Sequence, residues 1–532
     1  MTMSSMQLST PSPGATALPE SRVLIIGTGG TICMQEGPDG LQPSGNFLEA
    51  AMAPSPSFND NSAPPNAITL QACKDGKMIQ IPSLRTPPTA HKRHIRYGIV
   101  EFDPLLDSSS ISALDWDAMA LCVQQNYALF DGFVILHGTD SLSYTASALS
   151  FMLANLGKPV ILTGSQAPIF SLQSDAVDNL LGSLIIAGTF VIPEVGLFFH
   201  NKLYRGNRTT KVSATSFEGF ASPNCEPLAQ VNGLGISVNW NLALRPTNIA
   251  RFKINTRLDT THVACLRVFP GIKPEMIDAV LHLPDIRGLI LETFGMGNVP
   301  GGSDGQLTNV IKAAVERGIV VVNVSQCVNG FVSPVYAPGT QLGRAGVIFG
   351  LDLTAEAALA KLSYLLSLPN LSPLDIAAHF PRSLRGELTE IAHPTFAHPT
   401  APLDAAPSSL TAIESAFTAL GYAIQNNQIE VVRHLLEGEG RQLLHVSDYA
   451  GNTAVHLAAV SGNTEIMRDL LQRGASVHER NRADNSPLFL ATLSGKDDCA
   501  KLLNAAGAHL SMEEIERGPL AKYRTENQTK AA

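Results

Sequence analysis

An α/β architecture with mostly parallel sheets, followed by an all-α repeat stack, is the fold class that the 532-residue sequence predicts. Two observations carry this. Apolar strand-like runs alternate with helical patterns at Val23–Gly27, Phe133–His137, Val160–Gly164 and Val195–His200, then again at Val263–Val268, Gly288–Glu292 and Gly318–Val324. Such alternation builds parallel strands joined through helices. Further along, "AGNTAVHLAAVSGNTEIMRDLLQRGA" starts at Ala450 and "ADNSPLFLATLSGKDDCAKLLNAAGA" at Ala483, a period of 33 residues.

The elements follow in order. Residues 1–21, rich in Ser, Thr and Pro, read as a disordered tail and not as a signal or transit peptide. "VLIIGTGGTIC", Val23 to Cys33, reads as a buried strand entering a glycine-rich turn. It is not a dinucleotide fingerprint, since Gly27 and Gly29 fit but the sixth position is Ile32, and no Gly-Lys-Ser/Thr follows to make a P-loop. What remains is a strand end with two hydroxyls, Thr28 and Thr31. Ala50–Thr89, with its many Pro and small polar residues, predicts a long, partly mobile loop. A helix is expected to start near Asp115. Another runs from Leu142 to Leu156, with Asp140 or Ser141 as its cap and Gly157 and Pro159 as its stop. Leu180–Phe199 contains Pro193 and Glu194 and reads as a buried helix followed by a strand.

The pattern loosens between Phe220 and Thr261, which divides an N-terminal α/β domain, 22–240, from a C-terminal one, 255–391. A Pro-punctuated linker, 392–409, leads to the repeats at 410–515 and a tail at 516–532. The period, the "TAVHLAA" segment and the Leu-Leu…Gly-Ala ending match the ankyrin repeat, with a degenerate first copy at Gly421. Each unit buries its apolar face only against its neighbours, so three units are about the minimum for a stable stack. His456 belongs to this pattern as a structural turn residue.

A net charge of -9 argues against a generic nucleic-acid or anionic-membrane binder. No apolar run is long enough to span a bilayer. Seven scattered cysteines without a Cys-x-x-Cys pair fit reduced core residues in the cytosol, not a disulfide framework or a zinc site.

In open α/β sheets, ligands collect outside the carboxyl ends of the strands. Four stretches fall there: "GTGGTI", "HGTDS" (His137 to Ser141), "LTGSQ" (Leu162 to Gln166) and "LDSSS" (Leu106 to Ser110). They offer Thr31, Thr139, Asp140, Ser108 and Ser109, and "RGNRTTK" downstream adds Lys211. Taken singly, each has a plainer role: Asp140, Thr139 and Ser141 as helix caps, Lys211 as a solvated lysine, His137 as a packed strand-end residue.

Together, "TGGTI", "HGTD", "GKPVILTGSQ" and "LYRGNRTTK" resemble the bacterial-type L-asparaginase family, and within it the cytosolic type I branch. The resemblance runs from about Arg22 to Leu388, where "SLRGEL" matches the family's closing region. It implies a two-domain asparaginase-type fold and hydrolysis of the side-chain amide of free L-asparagine, with ankyrin repeats appended as in the animal and fungal cytosolic enzymes. It also implies residue roles. Thr31 corresponds to the primary nucleophile, forming a β-aspartyl ester that water then cleaves. Thr139, Asp140 and Lys211 correspond to the second catalytic group, in which a neutral Lys211 would deprotonate Thr139 or a water. Asp140 suits the substrate's α-ammonium, while Asp107, Ser108 and Ser109 match the loop around its α-carboxylate and α-ammonium. The glycines then leave room for a small zwitterion, and the chemistry needs neither a metal nor an organic cofactor. A cytoplasmic homo-oligomer, dimer or tetramer, is implied as well.

Other readings keep the fold and change what it acts on or does. The substrate becomes another amide or a lysophospholipid ester, or the chain becomes an ankyrin scaffold with an inactive asparaginase part. A protein partner through the repeats is compatible with each. "GGSDG", Gly301 to Gly305, satisfies Gly-x-Ser-x-Gly, but the loop sequence "GNVP" precedes it where a nucleophile elbow needs a strand. Some bacterial type I enzymes bind regulatory asparagine through an arginine where this chain has Glu292. A carboxylate cannot pair with the effector's carboxylate, so allosteric activation through that pocket is predicted to be absent.

Overall fold

The computed structural model describes residues 18–37, 40–64, 67–245, 250–255, 258–300, 305–389, 411–511 and 514–515. They fall into two compact units divided at Glu390.

The first unit is built on a ten-stranded sheet. Its strands are β1 (Glu20–Gly29), β2 (Thr69–Lys74), β3 (Lys77–Arg85), β4 (His94–Leu106), β5 (Gly132–Leu136), β6 (Val160–Thr163), β7 (Val195–Phe199), β8 (Lys202–Arg205), β9 (Ala229–Asn232) and β10 (Gly235–Val238). Their spatial order is β10-β9-β8-β7-β6-β5-β1-β4-β3-β2. The inner five, β7, β6, β5, β1 and β4, run parallel, and antiparallel strands flank them. β1 is apolar on both sides because both faces are covered: Leu24 and Ile26 enter one core, Val23 and Ile25 the other. Helices α1 (Ala113–Asn126) and α2 (Leu142–Met152) supply the first core, and α3 (Ala176–Thr189) the second.

Four parallel strands, β11 (Val263–Arg267), β12 (Gly288–Thr293), β13 (Val320–Ser325) and β14 (Ile348–Phe349), form a second sheet in sequence order. Helices α4 (Pro274–Leu281), α5 (Gln306–Glu316) and α6 (Ala337–Arg344) pack on one face of it. On the other face, α7 (Ala355–Ser367) places Leu362 and Leu365 against Ile290 and Val322. The same apolar core continues through Ala146 and Leu149 of α2, so one core joins the two sheets.

Two expectations are corrected. The stretch 50–89 is not one long loop, because β2 and β3 form an antiparallel hairpin within it. Its two-residue turn, Asp75–Gly76, has positive φ at both positions (51° and 74°), the twist that suits a tight hairpin. Helix α2 stops at Met152 and does not reach Leu156. Asn155 has a φ of 58°, and Leu153–Ala154 instead pair with Lys253–Ile254. Of the Gly-x-Ser-x-Gly segment, 301–304 lie outside the described residues; Gly305 caps α5 with left-handed backbone. Residues 1–17, the linker at 392–409 and the tail at 516–532 lie outside them too.

The described residues of the second unit hold three helix pairs, Ala412–Gln425 with Ile429–Leu435, Ala454–Ser461 with Thr464–Gln472, and Pro487–Leu493 with Asp497–Ala505. His456 is buried there. Its Nδ1 accepts from the Thr453 N–H at 3.1 Å, and its Nε2 faces the Asn485 carbonyl of the next repeat at 3.1 Å. The ring is a strut between repeats.

Candidate active site

The glycine turn at the end of β1 answers which threonine it serves. Thr28 is buried and its hydroxyl donates to the Leu136 carbonyl at 2.7 Å, so it belongs to the sheet. Gly29 and Gly30 have φ of 128° and 89° and lie against other backbone. A Cβ on Gly29 would sit 2.2 Å from the Leu106 oxygen, and one on Gly30 would sit 2.3 Å from the Gly138 nitrogen. A Cβ on Gly138 would in turn meet Ser108 Oγ at 2.4 Å. The loop after β1 therefore touches the loops after β4 and β5 backbone to backbone, while the Ser108 side chain packs directly on Gly138. Thr31, partly exposed, opens the short 3₁₀ turn Thr31–Cys33 one residue beyond this contact. Burial pushes the neighbouring Cys33 thiol up to about 11, so it is not a thiolate at neutral pH.

Thr139 follows Gly138 and is buried. Lys211 Nζ donates to Thr139 Oγ1 at 3.0 Å and to Asp140 Oδ1 at 2.9 Å. Asp140 is two-thirds exposed (65%) and Lys211 less so (22%). Neither Asp140 nor Ser141 caps α2 with its side chain: Ser141 Oγ donates instead to the Ser108 carbonyl at 2.6 Å. This ties the "LDSSS" loop to the "HGTDS" loop. Within the former, Asp107 Oδ1 accepts from the Ser109 N–H at 2.9 Å and from Ser109 Oγ at 3.0 Å. Ser108 is buried, while Asp107 and Ser109 are exposed. His137 is fully buried, and that burial pushes it down to about 4. Its Nδ1–H faces the Gly138 carbonyl at 2.7 Å, so Nε2 accepts from Thr145 Oγ1 at 2.9 Å. Thr145 accepts in turn from Trp116 Nε1 at 2.9 Å. The histidine is a packed strut behind the loop.

Lys211 is held from its own side. Thr210–Lys211 pair with Phe220–Ala221, and Thr210 Oγ1 donates to Glu356 Oε1 on α7 at 2.7 Å. Upstream, the backbone carbonyls of "SLRGEL" receive three side chains: Arg205 reaches Gly386 at 3.3 Å, Asn207 reaches Arg385 at 2.9 Å, and Arg208 reaches Glu387 at 2.9 Å. That segment is fixed to α7 by a fully buried ion pair, Glu387 with Lys361. The sequence reading missed Ser141 as a loop tie and Glu356 altogether. Ser141 stood in a quoted motif, but Glu356 lies 146 residues beyond Thr210 and no local pattern points to it.

Among the described residues, no group of three His, Cys, Asp or Glu is arranged to hold a metal ion. No helix among them is long and apolar enough to cross a membrane.

Family models agree with this architecture. Residues 22–244 match the asparaginase N-terminal model, 262–380 the glutaminase/asparaginase C-terminal model, and 420–514 a model of three ankyrin repeats. An L-asparaginase of Dirofilaria immitis is 38% identical over 513 residues, covering 94% of this chain and 84% of that protein. A mouse protein named 60 kDa lysophospholipase is 37% identical over 466 residues, 86% of this chain and 79% of its own. Among solved structures, L-asparaginase I of Vibrio cholerae is 40% identical, with a TM-score of 0.57 over 70% of this chain and all of that one. The chain thus belongs to the asparaginase family of amide hydrolases and carries ankyrin repeats after both of the family's α/β parts.

Proposed function

We propose that the chain hydrolyses the side-chain amide of free L-asparagine to L-aspartate and ammonia, with Thr31 as nucleophile. The observation that carries this reading is Lys211 Nζ, within 3.0 Å of Thr139 Oγ1 and 2.9 Å of Asp140 Oδ1, on the loop that abuts the Thr31 turn. Thr31 Oγ1 forms a bond to the amide carbon as its proton passes to a base. The C–N bond then breaks, ammonia leaves with the added proton, and a β-aspartyl ester stays on Thr31. Water, giving its proton to the Thr139–Lys211 pair, attacks the ester carbon, and Thr31 recovers its hydroxyl as aspartate departs. The substrate's α-ammonium competes with Lys211 for Asp140. Its arrival therefore turns Nζ toward Thr139, while Asp107, Ser108 and Ser109 receive the two α-groups.

The same reading makes the chain a cytoplasmic homo-oligomer, dimer or tetramer, whose repeats are available to a protein partner. The test is ammonia release from L-asparagine, beside L-glutamine and lysophosphatidylcholine, by full-length protein and Thr31→Ala. Asparagine turnover lost in the variant is the expected result. Fatty-acid release from the lysolipid without asparagine turnover favours the second reading, which the name of the mouse relative raises.

A further inference from the structure

Glu356 has no role in the reaction as drawn. It stands in the first turn of α7, is 9% exposed, and accepts from Thr210 Oγ1 at 2.7 Å. Burial raises its carboxyl above the ordinary value, with Glu292 adding repulsion. Among the described residues no cation lies within salt-bridge range of it. A buried carboxylate without a counter-charge is costly, and its hydroxyl partner, Thr210, offsets only part of that cost. Thr210 is the residue before Lys211, and the strand they share is only two residues long, with one short partner at Phe220–Ala221. So short a strand does not by itself fix a long, flexible side chain. Glu356 supplies a second anchor from another part of the fold, on a helix packed into the common core.

We infer that Glu356 is a positioning residue: by holding Thr210 Oγ1 it fixes the two-residue strand that keeps Lys211 against Thr139 and Asp140. The inference rests on the reading of Lys211 as part of the reaction machinery. If the tether is lost, Lys211 Nζ swings toward solvent and the proton relay through Thr139 loses its geometry, while the loops that take the substrate's α-groups stay in place. The effect should fall mainly on kcat.

The experiment uses full-length protein and four single variants, Glu356→Ala, Glu356→Gln, Thr210→Val and Thr210→Ser, with the double variant Glu356→Ala/Thr210→Val. Steady-state ammonia release gives kcat and KM. Brief acetylation with acetic anhydride, read by peptide mass spectrometry, gives the reactivity of Lys211 relative to the exposed Lys312. Glu356→Ala and Thr210→Val should lower kcat about tenfold, with KM changed less than about threefold. Lys211 labelling should rise at least about threefold as Nζ leaves its two partners. Glu356→Gln and Thr210→Ser, which keep an acceptor and a donor, should restore both readouts, and the double variant should be no slower than the worse single. Unchanged kcat and labelling in Glu356→Ala overturn the inference, as do Glu356→Gln behaving like Glu356→Ala or a double variant whose losses multiply. If Glu356→Ala does not fold, Thr210→Val decides. If the wild type does not turn over asparagine, the functional reading fails, while the labelling arm still tests the tether.

Discussion

Gly30→Ala probes the contact on which the site is built. The added Cβ would sit 2.3 Å from the Gly138 nitrogen and 2.5 Å from its Cα, both backbone atoms. Real Cβ atoms are essentially never nearer than 3.0 Å, so the Thr31 turn and the Thr139 loop must part by at least 0.7 Å (3.0 minus 2.3). Alanine must also hold a φ of 89° with a ψ of 173°, a region essentially confined to glycine, at a cost of about 1–3 kcal/mol. A displacement near 1 Å between reacting groups costs about 100-fold in rate. The expected result is a fall of about 100-fold in kcat/KM for asparagine, with a lowered thermal midpoint. Gly76→Ala is a control for positive φ without a clash: its φ is 74° and nothing lies within 4 Å of the new Cβ, so turnover should stay intact. Wild-type turnover by a folded Gly30→Ala protein would refute the claim that this backbone contact sets the spacing of Thr31 and Thr139.

Acid stability should report on His137. The unfolded chain takes up a proton near pH 6.5 that the buried ring refuses until about 4. This contribution is thus complete above pH 6.5 and is lost on acidification through that window, by about 3 kcal/mol. Urea unfolding at pH 8, 6.5 and 5 should show the loss in wild type and a smaller one in His137→Asn; equal slopes would count against it. Lys361→Met should destabilise the first unit by about 3–5 kcal/mol in urea, since it leaves Glu387 charged, buried and without its cation. Adding Glu387→Gln should recover part of that loss, and no recovery would place the cost elsewhere than in the charge. Asparagine saturation should be hyperbolic, because the carboxylate of Glu292 would repel an effector's carboxylate and already faces the nearby cation, Arg267, at 4.0 Å. A sigmoidal curve that turns hyperbolic in Glu292→Ala would contradict this.

Much of the parallel framework was legible because strands buried on both faces are apolar throughout, as in "VLII" of β1 and "GFVIL" of β5. The loops at their carboxyl ends could be read too, since close backbone contact admits only glycine at positions such as Gly29 and Gly30. The β2–β3 hairpin was hidden by the Pro- and Asn-rich sequence before it and by its own mixed polarity. Yet "KDGK", with Asp-Gly between two alternating runs, was a hairpin signal that could have been used. The end of α2 depended on a pairing with residues 253–254, about 100 positions away, and propensity does not register that. Asp140 looked like a helix cap, and only the tertiary fold shows its carboxylate turned to Lys211. Glu356 was beyond reach for the same reason.

The clasp between residues 205–208 and "SLRGEL" also orders events in time. Arg205 and its acceptor Gly386 are 181 residues apart, so at a synthesis rate of about 5–20 residues per second the acceptor is made about 10–35 s after Arg205. During that interval the main sheet can already pair, since all ten of its strands end by Val238. The stretch bearing Lys211 has neither its carbonyl acceptors nor Glu356. The nascent chain therefore has a scaffold before it has a finished site, and "SLRGEL", made after Glu356, is the segment that receives the side chains just ahead of the lysine's strand.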